Sequence, residues 1–181
     1  NKTFTIIHIS SLFDAHKNVS GMLKVAKLLE NEIGFFTWKF IGGSDKNYKN
    51  LLKKLNFETA KIEFIAHIPQ QEMAIHLQEA SVFVLFSNYE NLPCVILESF
   101  SCGIPVISTK VGGISEFFPE DFGKLISQKS KKELLASLLF YSKKTTENKE
   151  KMHTYAVTNF SKETIQKMFS NWYYQSLKVN S

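Results

Sequence analysis

Apolar positions along the chain fall into short continuous runs separated by amphipathic stretches. Phe4 to Ile9 reads as a buried strand, Val19 to Glu32 as an amphipathic helix, and Phe36 to Ile41 as a second strand ending at Gly42-Gly43. A Lys-rich helix follows over Tyr48 to Leu55, then a short strand around Ile62 to Ile65 and a helix over Gln70 to Glu79 with Pro69 at its mouth. Ser81 to Phe86, apolar on both faces, is the clearest buried strand. A helix over Pro93 to Cys102 is closed by Gly103, and Pro105 to Ser108 starts the next strand. After the loop at Gly112-Gly113, Gly123 to Ile126 is a last short strand. Lys131 to Lys178 is helical, with a polar break from Lys143 to Lys151 that reads as a helix–helix turn near Thr145-Thr146-Glu147. About six strands, each followed by a helix and none by a hairpin signal, imply parallel pairing with right-handed crossovers. The expected class is α/β, doubly wound, in one domain of 181 residues. Such sheets bind ligands beyond the carboxyl ends of their strands, here just after Ile9, Ile41, Ile65, Phe86 and Ser108.

Composition narrows the classes. Apolar residues at 44% and charged residues at 22% match a globular average and exclude disorder, collagen and coiled coil. Runs such as Val82 to Phe86 are far shorter than the roughly 20 residues a membrane span needs. All 22 basic residues are lysine, and the net charge is +5. Without arginine forks to read guanine or clamp phosphate, no nucleic-acid partner is expected, while an anionic small ligand or a membrane surface stays open. Cys94 and Cys102 lack a metal-ligand spacing and sit in apolar sequence, so buried thiols in a reducing compartment are expected. Asn1 is not a natural start, and the chain runs straight into a strand, so it reads as a fragment.

The chemically richest stretch is Ser87-Asn88-Tyr89-Glu90-Asn91-Leu92-Pro93-Cys94-Val95-Ile96-Leu97-Glu98, which leaves the clearest strand and enters a helix. Proline suits the first turn, and the free amides of Asn91, Leu92, Cys94 and Val95 form a partial positive charge suited to phosphate. Glu98, in an apolar helix face, is costly unless it accepts hydrogen bonds, and a ribose diol offers two parallel donors. Alternatively, Glu90 fills a favourable helix-start position and Glu98 pairs with a surface lysine. Spacing alone does not separate the two.

These words resemble those of glycosyltransferase family 4, retaining nucleotide-sugar transferases of the GT-B fold. Glu90 and Glu98 match its E-x7-E signature, and Glu98-Ser99-Phe100-Ser101-Cys102-Gly103-Ile104-Pro105-Val106-Ile107 and Val111-Gly112-Gly113-Ile114-Ser115-Glu116 follow in the family's order. The resemblance runs from about Phe4 to Leu139. It implies a Rossmann-like parallel sheet, one half of a GT-B fold: the carboxyl-terminal, donor-binding domain over residues 1–181, without its amino-terminal acceptor domain. The implied activity is transfer of a hexose from a nucleotide diphosphate sugar to an acceptor hydroxyl, in polysaccharide biosynthesis. A cytoplasmic enzyme follows, with peripheral association at the inner membrane face left open. The fragment alone is expected to bind donor without turning it over.

By the same resemblance Glu90 contacts hexose hydroxyls, Glu98 the ribose diol, and the amides from Asn91 to Val95 the diphosphate. Lys17 matches the family's phosphate lysine, whereas its usual arginine is replaced here by Ser11. His67 and Ile68 lie in the loop that cradles the base, and Gly112 and Gly113 in a loop near the donor. No metal is expected, since the Asp-x-Asp pair of metal-dependent transferases is absent. Phe169, Trp172, Tyr173 and Tyr174, on a helix over Ser161 to Leu177, either pack into the core or dock on the missing domain. The competing reading is a catalytically degenerate nucleotide- or nucleotide-sugar-binding module, which Ser11 favours. A phosphorylase-like enzyme lacks its pyridoxal-phosphate lysine motif.

Overall fold

The structure, a computed structural model, describes residues 3–144 and 147–179. One six-stranded sheet contains β1 (Thr5–Ile9), β2 (Thr37–Ile41), β3 (Lys61–Ile65), β4 (Val82–Leu85), β5 (Val106–Thr109) and β6 (Gly123–Ile126). All ladders are parallel, in the order β3-β2-β1-β4-β5-β6. The connections carry α1 (Asp14–Lys17), α2 (Val19–Ile33), α3 (Lys49–Leu55), α4 (Gln70–Glu79), α5 (Cys94–Ser101), α6 (Ile114–Phe117), α7 (Lys131–Lys143), α8 (Lys149–Phe160) and α9 (Lys162–Val179).

Successive side chains of a strand point to opposite faces, so a sheet buried on both sides needs two cores. Ile6, Trp38, Phe40, Val82 and Val84 pack with α2 and α7 on one face. On the other, Ile7, Ile41, Phe83, Leu85 and Val106 meet Leu77 of α4, Ile96 and Phe100 of α5 and Met152 of α8. Helix α2 owes its place to Met22, Val25, Ala26 and Leu29, spaced along one stripe and fully buried. Burying each of the larger ones stabilises the fold by about 2 kcal/mol.

Glu30, in the last turn of α2, is buried as well, although it carries a carboxylate. Its Oε1 accepts backbone N–H bonds from Glu58, Thr59 and Ala60, and Oε2 pairs with Lys27 Nζ at 2.6 Å. Burial alone would raise this carboxyl, but the Ala60 amide, Lys27 and the neighbouring amides outweigh it and hold it at about 2.

The expected strands and crossovers are present. Where one helix break is expected, α7 ends at Lys143 and α8 starts at Lys149, and a second break falls at Ser161 between α8 and α9. Thr145 and Thr146, named in the predicted turn, lie outside the described residues. The cysteine expectation is corrected. Cys94 opens α5 on its solvent side and is exposed, and Cys102 is half-buried. The core-packing alternative for the last helix also falls, since Phe169, Trp172, Tyr173 and Tyr174 of α9 are 64–69% exposed. No helix among the described residues is long and apolar enough to cross a membrane.

Candidate active site

Strand order reverses between β1 and β4, the kind of switch point beyond which open parallel sheets bind their ligands. The loop after β1 is built rigidly. Ser10 N–H donates to Ile41 O, Ser10 Oγ accepts from Leu12 N–H at 3.0 Å, and Tyr48 Oη donates to Leu12 O. Leu12 is thereby held in the left-handed region, at φ 55°, uncommon for its residue type. The chain then turns into α1, where Phe13 O accepts the amides of His16 and Lys17. This short helix, absent from the expected elements, carries Lys17 to the loop after β4.

The loop after β4 brings the carboxylate. Ser87 is fully buried, its carbonyl accepting from Thr109 Oγ1 at 2.7 Å. Ser87 Oγ donates to Glu90 Oε1 at 2.6 Å, and Lys17 Nζ meets the same oxygen at 2.5 Å. Glu90 is 8% exposed, so its charge is tolerated because a cation and a hydroxyl satisfy it. Both bonds fall on Oε1. Gly112, at φ 58°, presses against this loop: a Cβ there would lie 2.1 Å from Glu90 O. Asn88 ties the two sides together, its N–H donating to His16 O and its Nδ2 to Ala15 O, while Gln128 Nε2 donates to Asn88 O.

Beyond Glu90, Asn91 and Leu92 are exposed and α5 begins at Cys94, so its first amides have no helical acceptor upstream. Glu98 is half-buried one turn into α5 and faces α4, where Gln70 Nε2 reaches its Oε1 at 3.4 Å. It edges a separate cavity of about 160 Å³, lined also by Met73, Leu77 and Cys102. Lys17 and Glu90 are therefore joined, while Glu98 stands in a neighbouring pocket. Exposed His67 and half-buried Ile68 lie in the loop leading to α4, Ser11 is exposed on the β1 loop, and Gly113 starts α6. Among the described residues no group of three or more metal-ligating side chains comes together.

Near the carboxyl end of β1 sits His8, fully buried, with Nδ1 2.8 Å from Val84 O and Nε2 2.7 Å from Ser10 Oγ. A carbonyl only accepts, so Nδ1 carries the proton and Nε2 accepts from Ser10. Burial, against the pull of the Val84 carbonyl and with a small push from Lys17, lowers His8 from 6.5 to about 4. Since the unfolded chain binds this proton and the folded chain does not, stability is complete above pH 6.5 and falls as pH drops toward 4. The loss amounts to about 3 kcal/mol. Glu30 has the depressed pattern of a carboxylate, so its share is full above 4.5 and is lost as pH falls toward 2. Urea midpoints measured from pH 7.5 to 3 should show both declines, and His8→Gln should abolish the upper one. An unchanged upper decline in that variant would refute the assignment.

A family model described as glycosyl transferases group 1 matches residues 1–158. The chain belongs to this family. It is 48% identical over 50 residues to the Vi polysaccharide biosynthesis protein VipC/TviE of Salmonella typhi, 28% of this chain and 9% of that one. Sucrose-phosphate synthase from Thermosynechococcus elongatus superposes with a TM-score of 0.82 at 22% identity, covering 99% of this chain and 47% of that one. A mutant of S. aureus TarM, in complex with fondaparinux, α-GlcNAc-glycerol and UDP, superposes with a TM-score of 0.82 at 18% identity, covering 94% and 35%. At these identities the two solved structures speak for the fold, a six-stranded Rossmann-like sheet matching GT-B glycosyltransferases. This group 1 glycosyltransferase chain thus spans less than half the length of each of these proteins.

Sequence reasoning missed His8, Ser10, Gln128 and the bracing role of Asn88. His8 stands in an apolar strand and looks like core, and its position beside the switch point becomes visible only once strand order is known. Gln128 lies in a polar loop whose sequence carries no signal of its partner.

Proposed function

We propose that this chain is the donor-binding domain of a retaining glycosyltransferase, which moves a hexose from a nucleotide diphosphate sugar to an acceptor hydroxyl. The observation that carries this reading is the Lys17 Nζ–Glu90 Oε1 pair at the switch point, on the loop that leads into α5 at Cys94. The UDP held by TarM is consistent with it. The Asn91–Val95 amides and Lys17 hold the diphosphate, and Ser11 adds a neutral hydrogen bond where the family's arginine is missing. Glu90 accepts from hexose hydroxyls through Oε2, and Glu98 accepts from the ribose diol at its separate pocket. The backbone around His67 and Ile68 borders the base, and Gly112 lets its loop pack close against Glu90 on the donor side.

As the bond between the anomeric carbon and the phosphate oxygen breaks, negative charge grows on the departing diphosphate. Lys17 and the α5 amides stabilise that charge, the electrostatic help that commonly dominates catalysis. Glu90 positions the sugar while the acceptor oxygen forms the new bond with configuration kept, its proton passing to the departing diphosphate oxygen. The acceptor groups belong to an amino-terminal half, on which the exposed aromatics of α9 dock. With lysine and amides neutralising the diphosphate, donor binding needs no metal.

A thermal-shift panel of UDP-, GDP- and ADP-sugars tests this. At about 100 times Kd one of them should stabilise the chain by about 2.7 kcal/mol, a shift of roughly 5–10 °C. The shift should survive EDTA; its loss would overturn metal independence, and no shift with any donor would overturn the function.

A further inference from the structure

The β1–β2 ladder runs the whole length of both strands, from Thr5↔Thr37 to Ile9↔Ile41. The β1–β4 ladder is shorter, pairing only Ile6 with Val82 and Ile7 with Phe83. Where these strands part, the His8 side chain spans the gap and donates from Nδ1 to Val84 O. Its other nitrogen receives the Ser10 hydroxyl, whose oxygen receives the Leu12 amide. Leu12 leads through Phe13 O into α1, and α1 delivers Lys17 to Glu90. The bonds form a closed circuit from β4 through β1 and back to the loop after β4.

We propose that His8 is a positioning residue, which through Ser10 fixes the β1 loop and so sets where Lys17 meets the donor diphosphate. The proposal rests on the donor-binding reading above. Three features carry it. Ser10 Oγ is engaged on both sides, so it braces the loop rather than binding ligand. Leu12 holds an unfavourable backbone conformation, which persists only where the surroundings over-determine it. Gly42 further clamps the turn, because a Cβ there would lie 2.0 Å from Ser10 O. A lysine on a loosely held loop would lose its electrostatic advantage, since preorganised charge is worth more than charge that must be ordered on binding.

Conservative variants separate the two nitrogens. In His8→Asn the amide replaces Nδ1 and the bond to Ser10 is cut; in His8→Gln it replaces Nε2 and the bond is kept. Both place an amide in a buried site, so their thermal midpoints should fall alike. UDP, GDP and ADP are then titrated by calorimetry into the wild-type chain, both variants and Ser10→Ala. For whichever diphosphate binds, the affinity should fall about tenfold in His8→Asn and Ser10→Ala and hold within about threefold in His8→Gln. Amide NMR signals from Ser11 to Lys17 should move in the two weakened variants more than in His8→Gln. Equal affinity in all four proteins, or equal loss in both His8 variants, overturns the positioning role alone. Failure of the wild-type chain to bind any of the three diphosphates overturns the donor-binding reading itself.

Discussion

On the proposed donor-binding function, Glu90→Gln in the full-length protein should lower the transfer rate by about 100-fold or more while diphosphate affinity stays equal or tightens. The two directions follow from one contact. Glutamine keeps the size and the Ser87 contact but removes the charge, so a sugar hydroxyl loses its charge-assisted acceptor. Meanwhile the 2.5 Å bond from Lys17 Nζ no longer holds the ammonium against a carboxylate, and the cation becomes freer to meet phosphate. Steady-state kinetics together with nucleoside diphosphate titration reads both. Transfer within threefold of wild type would sink the catalytic role of Glu90 and favour a nucleotide-holding module instead.

The second large effect is expected at Gly112. Alanine there meets two penalties: a left-handed backbone at φ 58° and a Cβ placed 2.1 Å from Glu90 O. The contact is with backbone, which cannot swing aside, so the Glu90 loop itself must move. Gly112→Ala should therefore lose about 3 kcal/mol of stability, or roughly 6–12 °C, and weaken donor binding as well. Gly113→Ala is the control. Its nearest neighbour would be the flexible Glu116 side chain at 3.6 Å, and its backbone is in an ordinary region, so it should change little. Equal behaviour of the two variants in a thermal melt would show that the close approach at Gly112 does not matter.

Strand periodicity and the glycine and proline punctuation made the sheet legible, because apolar runs such as Val82 to Leu85 have few alternatives to a buried strand. Lys17 and Glu90 were legible as motif residues, although 73 positions separate them and only the fold makes them partners. Their direct pairing was not foreseeable, nor was the turn of Glu98 toward Gln70, since helical phase tells which face a residue occupies and not which neighbour claims it. The exposure of Cys94 was missed for a related reason: apolar sequence around a residue does not bury it when it opens a helix at the sheet's edge. The bracing by His8 depended on strand order, which local pattern does not carry.

That strand order also bears on how the molecule comes together. Every ladder except β1–β4 joins consecutive strands, whereas His8 and Val84 lie 76 residues apart. Long-range pairing of this kind carries the steepest loop-closure cost and slows folding. The Lys17–Glu90 pair lies on this seam, so β1 to β3 can form well before the candidate site is assembled. Ligand added during refolding should therefore favour the final joining of the two halves of the sheet rather than the formation of either half.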